Sequence, residues 1–203
     1  MKLLVATNNP GKIREMHDLL QDLRVEVCGL DAFDRIVEPA ETGLTFEENA
    51  VLKAQSYARQ TGCWALSDDS GLEVEALGGA PGVFSARYAG DAANDAAKIE
   101  KLLAELAATG DAERRARFVC AMAFAAPEGA IRFRAEGVCR GRIAPFPRGA
   151  NGFGYDPVFV PDGYERTFGE LPSSIKREIS HRSRAIAKII PFLRDFTILE
   201  LDQ

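Results

Sequence analysis

The class this sequence predicts is α/β, a mixed central β-sheet with flanking helices, and three observations predict it. Residues 3–6 form a short continuous apolar run, of the kind a strand buried on both faces shows, and a helical pattern follows directly. Helical stretches with clear start and stop residues alternate with strand-like runs along the chain. Residues 118–125 and 131–138 read as one hairpin, which adds antiparallel pairing to an otherwise strand-helix-strand plan.

Taken in order, Asn8-Asn9-Pro10-Gly11 breaks the first strand, and Ile13, Met16, Leu20 and Leu23 lie on one stripe of the helix after it. Residues 25–28 return as a strand. Thr45 and Glu48 have capping-box spacing, and Phe46, Ala50, Ala54 and Tyr57 trace the buried stripe of a second helix that Gly62 ends. Residues 63–67 read as a strand leading into Asp68-Asp69-Ser70-Gly71. A long helix spans about residues 92–108, with Ile99, Leu102, Leu103 and Leu106 inward and Gly110 as the stop. The hairpin turns at Pro127-Glu128-Gly129, and its second arm alternates Ile131, Phe133 and Ala135 with Arg132, Arg134 and Glu136. Residues 140–154, rich in Gly and Pro, read as loop. The last helical stretch carries Ile179, Ile186, Ile189 and Ile190, and Pro191 is expected to disturb its end.

The chain has 203 residues, enough for one domain with a sizeable core, and residues 1–203 are read as a single domain. Hydrophobic residues make up 46% and charged residues 27%, the balance of a soluble globular protein. No apolar run reaches the length of a membrane span, and the first residues lack the pattern of a signal peptide. The net charge of −5 and the lack of a basic stripe argue against nucleic-acid binding. Cys28, Cys63, Cys120 and Cys139 are far apart with no CxxC pair, so they read as reduced residues of a cytoplasmic protein.

Five polar clusters could carry chemistry. Thr7-Asn8-Asn9-Pro10-Gly11-Lys12 joins a buried strand to a helix, where free backbone N–H groups and a lysine suit phosphate; a plain turn with an exposed lysine is the alternative. In Asp68-Asp69-Ser70-Gly71, adjacent carboxylates repel unless a cation compensates, and their hard oxygens suit magnesium, with Glu41 as a second ligand; an ordinary acidic turn fits as well. Side chains alternate along a strand, so one aspartate of the two faces the site. Asn49 and Lys53 sit beside the second helix's apolar stripe, where Lys53 can reach a phosphate or carboxylate, or snorkel to solvent. In Gly152-Phe153-Gly154-Tyr155-Asp156, two glycines permit close backbone approach, two rings can stack on a base and Asp156 can accept from it; aromatics filling a core are the alternative. Lys176 and Ser180-His181-Arg182 put donors at a helix start, toward a base carbonyl or simply on a solvated basic face.

Together TNNPGK, ETGLTFEENAVLKA, SDDSGLEVEALGGAPGVFSARYAG, GFGYDPVF and KREISHR resemble, in order, the hallmark segments of the house-cleaning purine nucleoside triphosphate pyrophosphatases, the inosine triphosphate pyrophosphatase-like family. The resemblance runs from the first strand to the last helix. It implies an elongated two-lobed fold with a cleft between the lobes, a homodimer, and Mg²⁺-dependent hydrolysis of ITP, dITP and XTP to the monophosphate and pyrophosphate. It implies that Thr7, Asn8, Asn9, Pro10, Gly11 and Lys12 hold the triphosphate, that Asp69 is the catalytic carboxylate and a metal ligand with Glu41, and that Lys53 supports the phosphates. It further implies that Ser70 touches substrate and that Phe153, Gly154, Tyr155, Asp156, Lys176, His181 and Arg182 form the base pocket. One departure is visible: Ser173, Ser174 and Ile175 precede Lys176, where the family often has acidic residues. Two other readings compete: a pyrophosphatase for modified pyrimidine or methylated nucleotides, and a nucleotide-binding regulatory module without turnover.

Overall fold

The computed structural model describes residues 2–21, 23 and 25–201. Among them, strands β1 (Lys2–Val5), β2 (Glu26–Cys28), β3 (Trp64–Val74), β4 (Arg115–Ala125), β5 (Ile131–Ile143) and β6 (Phe159–Pro161) form one sheet in the order β2-β1-β3-β4-β5-β6. β1 pairs in parallel with β2 and with β3, whereas β5 and β6 are antiparallel, so the sheet is mixed as expected. Helices α1 (Pro10–Leu20), α2 (Phe46–Thr61), α3 (Asp95–Thr109), α4 (Ser173–Ile179) and α5 (His181–Leu201) accompany it.

Local chemistry explains the helix ends. Thr45 and Glu48 make the reciprocal capping box, and Gly62, in the left-handed conformation, closes α2. The buried face of α2 includes Phe46, Ala50, Ala54 and Tyr57, as their spacing predicts. Asn94 caps α3 through Ala97 N–H and Gly110 ends it; the helix starts at Asp95, a little later than the sequence pattern placed it, because the Asn94 side chain stops the backbone there.

Three differences from the sequence reading bear on the site. β3 runs on to Val74, so Asp68-Asp69-Ser70-Gly71 is strand and not turn. Lysine and arginine partners neutralise the two aspartates there, which removes the repulsion that would otherwise break a strand. β5 likewise extends through Ile143, its last residues pairing with β6, an element the Gly- and Pro-rich composition concealed. Helix α5 continues through Pro191.

The chain divides into two compact units, one of residues 1–69, 120–137 and 182–203, the other of residues 70–119 and 138–181. Each has its own core. In the first, Leu3, Val5, Met16, Leu20 and Leu66 pack with Cys120, Met122, Phe124, Ile186 and Ile189. In the second, Leu72, Ile99, Leu102, Leu106 and Phe118 pack with Tyr155, Phe159 and Phe168.

Candidate active site

In the first unit the polar groups begin where β1 meets α1. Asn9 is the helix cap: its Oδ1 accepts from the N–H groups of Gly11 (2.9 Å) and Lys12 (3.2 Å). Two N–H groups of this turn are thus satisfied by the cap. Thr7 Oγ1 accepts from Asn9 N–H at 3.3 Å, and Asn8 and Asn9 remain exposed. Lys12 stands in a first turn, a poor place for a cation, and the anion that compensates is Asp68, 3.0 Å from its Nζ.

The two adjacent aspartates take different partners because consecutive strand residues point to opposite faces. Asp68 Oδ2 receives Lys12, Arg182 Nη2 at 3.2 Å and, more weakly, the Cys120 thiol at 3.9 Å. Burial alone would raise the Asp68 carboxyl, but Lys12 and Arg182 overcome it and hold Asp68 well below the usual carboxylate range. Arg182 is 1% exposed and also pairs with Glu15. Its guanidinium, expected in the base pocket, pairs with two carboxylates, as a fully buried cation requires compensation.

Asp69 faces α2. Its Oδ1 lies 3.0 Å from Lys53 Nζ and its Oδ2 3.3 Å from Asn49 Nδ2. Lys53 Nζ also donates to Glu41 Oε1 at 2.7 Å, so one buried ammonium joins the two candidate metal ligands. Burial pushes the Asp69 carboxyl above its ordinary value, and Lys53 and Lys12 offset only part of that. Lys53 is 8% exposed; burial works against its charge, but Asp69, Asp68 and Glu41 outweigh it and keep the ammonium protonated. Among the described residues no group of three or more His, Cys, Asp or Glu is arranged to hold a metal by itself. Two carboxylates are nonetheless a suitable protein share for Mg²⁺, which keeps waters and takes substrate phosphate oxygens for the rest of its shell.

In the second unit the segment 152–156 is pinned at every residue after its first. Asp156 Oδ2 accepts from Phe153 N–H (2.8 Å) and from Lys176 Nζ (2.5 Å), and Gly154 N–H donates to Asp95 at 2.7 Å. Gly152 has φ of +76°, and a Cβ there would collide with the Asp156 carboxylate. Lys176 Nζ lies 4.5 Å from the centre of the Phe153 ring. Tyr155 is 4% exposed, packs in the core and donates its hydroxyl to Ser85 O at 3.0 Å. Of its two expected roles the packing one fits this burial, and Phe153 is the half-buried ring of this segment. A cavity of about 540 Å³ adjoins the segment, lined in part by Ile99, Leu103, Asn151 and Phe153. His181 is buried and stacked on Phe118, ring centres 4.7 Å apart. Ser70, the first residue of this unit, is half-buried on β3.

Two contributors escaped the sequence reading as site residues, and the partners of a third did. Glu15 has no local signal; it matters only because Arg182 is folded onto it. Asp95 reads as an ordinary helix-start acid, yet it anchors Gly154. Asn49 was visible as a polar residue on an apolar stripe, but its two partners, Gly43 and Asp69, were not.

Residues 3–192 match the Ham1 family. Among curated proteins, the chain is 47% identical over 196 residues to a dITP/XTP pyrophosphatase of Streptomyces avermitilis, covering 96% of this chain and 98% of that one. It is 48% identical over 189 residues to a dITP/XTP pyrophosphatase of Bacillus anthracis, covering 93% and 94%. Among solved structures, a HAM1 protein from Coxiella burnetii superposes with a TM-score of 0.88 at 44% identity, covering 96% of this chain and 99% of that chain. The Staphylococcus aureus Ham1 protein does so with a TM-score of 0.85 at 40% identity, covering 97% and 100%.

Proposed function

Given that the chain belongs to the Ham1 family, we propose that it hydrolyses the noncanonical purine nucleoside triphosphates ITP, dITP and XTP to the nucleoside monophosphate and pyrophosphate, clearing these bases from the nucleotide pool. The observation that carries the reading is the arrangement in which buried Asp69 and half-buried Glu41, two hard-oxygen carboxylates, share the buried Lys53 ammonium. An anion-binding module without turnover gains nothing from carboxylates placed there.

In this reading Thr7, Asn8 and Lys12 receive the triphosphate, with Asn9, Pro10 and Gly11 shaping the strand-to-helix turn. Water attacks the α-phosphorus in line, its oxygen forming the new bond as the α–β bridging bond breaks and pyrophosphate leaves with the electron pair. Asp69 orients that water and takes its proton. Lys53 and Lys12 offset charge on the departing pyrophosphate. Glu41 and Asp69 would hold Mg²⁺, which when bound polarises the phosphate oxygens. Arg182 keeps Asp68 ionised, and Asp68 in turn holds Lys12 in position.

Base choice is assigned to the second unit. Phe153 supplies the stacking face, and Lys176 and His181 supply donors for a carbonyl at C6, which inosine and xanthosine carry and adenosine lacks. Asp156 and Gly154 hold Phe153 and Lys176 in place, and Ser70 touches substrate. A buried donor left unmatched costs about 1–3 kcal/mol, the size of the expected penalty for ATP. We read residues 1–203 as one functional domain, acting as a homodimer in the cytoplasm without nucleic-acid partners. No helix among the described residues is long and apolar enough to cross a membrane.

The test is to incubate the chain with ITP, XTP, GTP and ATP, with and without Mg²⁺, and to identify both products. Monophosphate plus pyrophosphate from ITP and XTP, dependent on Mg²⁺, is expected. Diphosphate plus orthophosphate, or preference for a modified pyrimidine nucleotide, overturns the proposal.

A further inference from the structure

Asn49 is fully buried in the first turn of α2, where a polar amide needs a partner on every side. It has one on each. Its Oδ1 accepts from Gly43 N–H at 2.8 Å, and its Nδ2 donates to Asp69 Oδ2 at 3.3 Å. Gly43 lies two residues beyond Glu41. Its approach to α2 is close: a Cβ at Gly43 would stand 2.7 Å from Asn49 Oδ1 and 2.7 Å from Glu48 Cβ. The next two backbone N–H groups, of Leu44 and Thr45, both donate to Glu48 Oε2, at 2.7 and 3.2 Å. Three successive N–H groups of the Glu41 segment are thus held by two neighbouring side chains of one helical turn, and only Asn49 of the two also reaches Asp69.

The other oxygen of Asp69 is held by Lys53, one helical turn further along α2. Asn49 and Lys53 therefore grip the carboxylate from both ends, which sets the plane of the group as well as its position. Lys53 also draws in Glu41, so the same two α2 residues position both carboxylates, one through side chains alone and the other partly through the backbone of its segment.

We propose that Asn49 is a positioning residue that locks the orientation of the Asp69 carboxylate to the segment carrying Glu41. This deepens the functional reading above and rests on Asp69 as the group that orients water. Loss of the Nδ2 donor frees the carboxylate to rotate about its own bond while substrate contacts elsewhere are untouched. Turnover then falls and substrate affinity stays.

The experiment compares Asn49→Ala, which loses both hydrogen bonds, with Asn49→Asp, which keeps an acceptor for Gly43 but loses the donor to Asp69. Ser67→Ala serves as the control. Ser67 Oγ donates to Ala50 O at 2.5 Å, so this change loosens the same α2–β3 junction without touching Asp69. For both Asn49 variants kcat on ITP should fall by about 10- to 100-fold with KM within about threefold, whereas Ser67→Ala should lower the melting temperature with kcat nearly unchanged. A kcat loss in Ser67→Ala equal to that in Asn49→Ala, or a variant change confined to KM, overturns the inference. Nitrogen-15 NMR decides independently of activity. The Asn49 side-chain amide should exchange slowly in the wild type, and Asp69→Ala should shift both that amide and the Gly43 backbone amide. A fast-exchanging Asn49 amide, or a Gly43 signal indifferent to Asp69→Ala, also overturns it. If the wild type releases no pyrophosphate, the functional reading fails and the NMR arm still decides the placement of Asn49.

Discussion

Replacing Asp68 by asparagine removes one negative charge from a site that holds two cations. Asp68 Oδ2 stands 3.0 Å from Lys12 Nζ and 3.2 Å from Arg182 Nη2, and its side chain is fully buried. Taking away one partner of a buried ion pair costs about 3–5 kcal/mol because the remaining charge stays desolvated. Arg182 keeps Glu15, Lys12 retains 13% exposure, and the asparagine oxygen still accepts one hydrogen bond, so the lower end applies, about 3 kcal/mol. For a chain of this length about 1 kcal/mol moves the melting temperature by about 2–4 °C, so a fall of about 6–12 °C is expected. The neighbouring Asp69→Asn should do the reverse. Burial already works against the Asp69 charge, and Lys53 keeps Glu41, so stability should change by no more than about 1 kcal/mol. Turnover should fall about 10²- to 10⁴-fold, the share a positioned general base supplies. Differential scanning calorimetry and pyrophosphate release measured on both proteins separate the two roles. An unchanged melting temperature in Asp68→Asn, or near-normal turnover in Asp69→Asn, refutes the division of labour.

Three further outcomes are expected. Phe153→Ala should raise KM for ITP by about 5- to 100-fold, since a stacked base gains about 1–3 kcal/mol from an aromatic partner, and steady-state kinetics measure it. Tyr155→Phe should leave KM and kcat nearly unchanged while costing about 1 kcal/mol of stability, the worth of its hydrogen bond to Ser85; denaturant melts check this, and a marked KM change would restore Tyr155 to the base pocket. The folded-state carboxyl of Asp68 is depressed, so its stabilisation is complete above its unfolded value, near pH 3.9, and is lost as pH falls below that toward the folded value. Acid melts should therefore show a weaker loss of stability below about pH 4 in Asp68→Asn than in the wild type.

What the sequence could disclose followed the range of the interaction. The capping box of Thr45 and Glu48, the Gly62 and Gly110 stops and the α2 stripe are decided within a few residues, and each is where its spacing predicted. The antiparallel hairpin was legible for the same reason, its alternation surviving in the burial of residues 131–136. The ion pairs of Arg182 were illegible because its partners are far away in the chain: Asp68 is 114 residues earlier and Glu15 is 167. No local pattern marks a counterion at such a distance. Tyr155 stayed open between two roles for a related reason, since an aromatic beside glycines looks the same whether its hydroxyl meets a ligand or the Ser85 carbonyl. The Asp68-Asp69 pair was legible as unusual, yet its strand geometry depended on cations that only the fold delivers.

Gly152 closes one route to altered selectivity. At φ of +76°, with the Asp156 carboxylate where a methyl group would have to go, the position admits no side chain unless that carboxylate swings aside. Such a swing releases the Lys176 ammonium and the Phe153 amide in the same movement. If Phe153 stacks on the base as proposed, efforts to retune base preference should therefore leave residue 152 alone and vary the ring at 153, where a substitution alters the surface presented without dismantling its support.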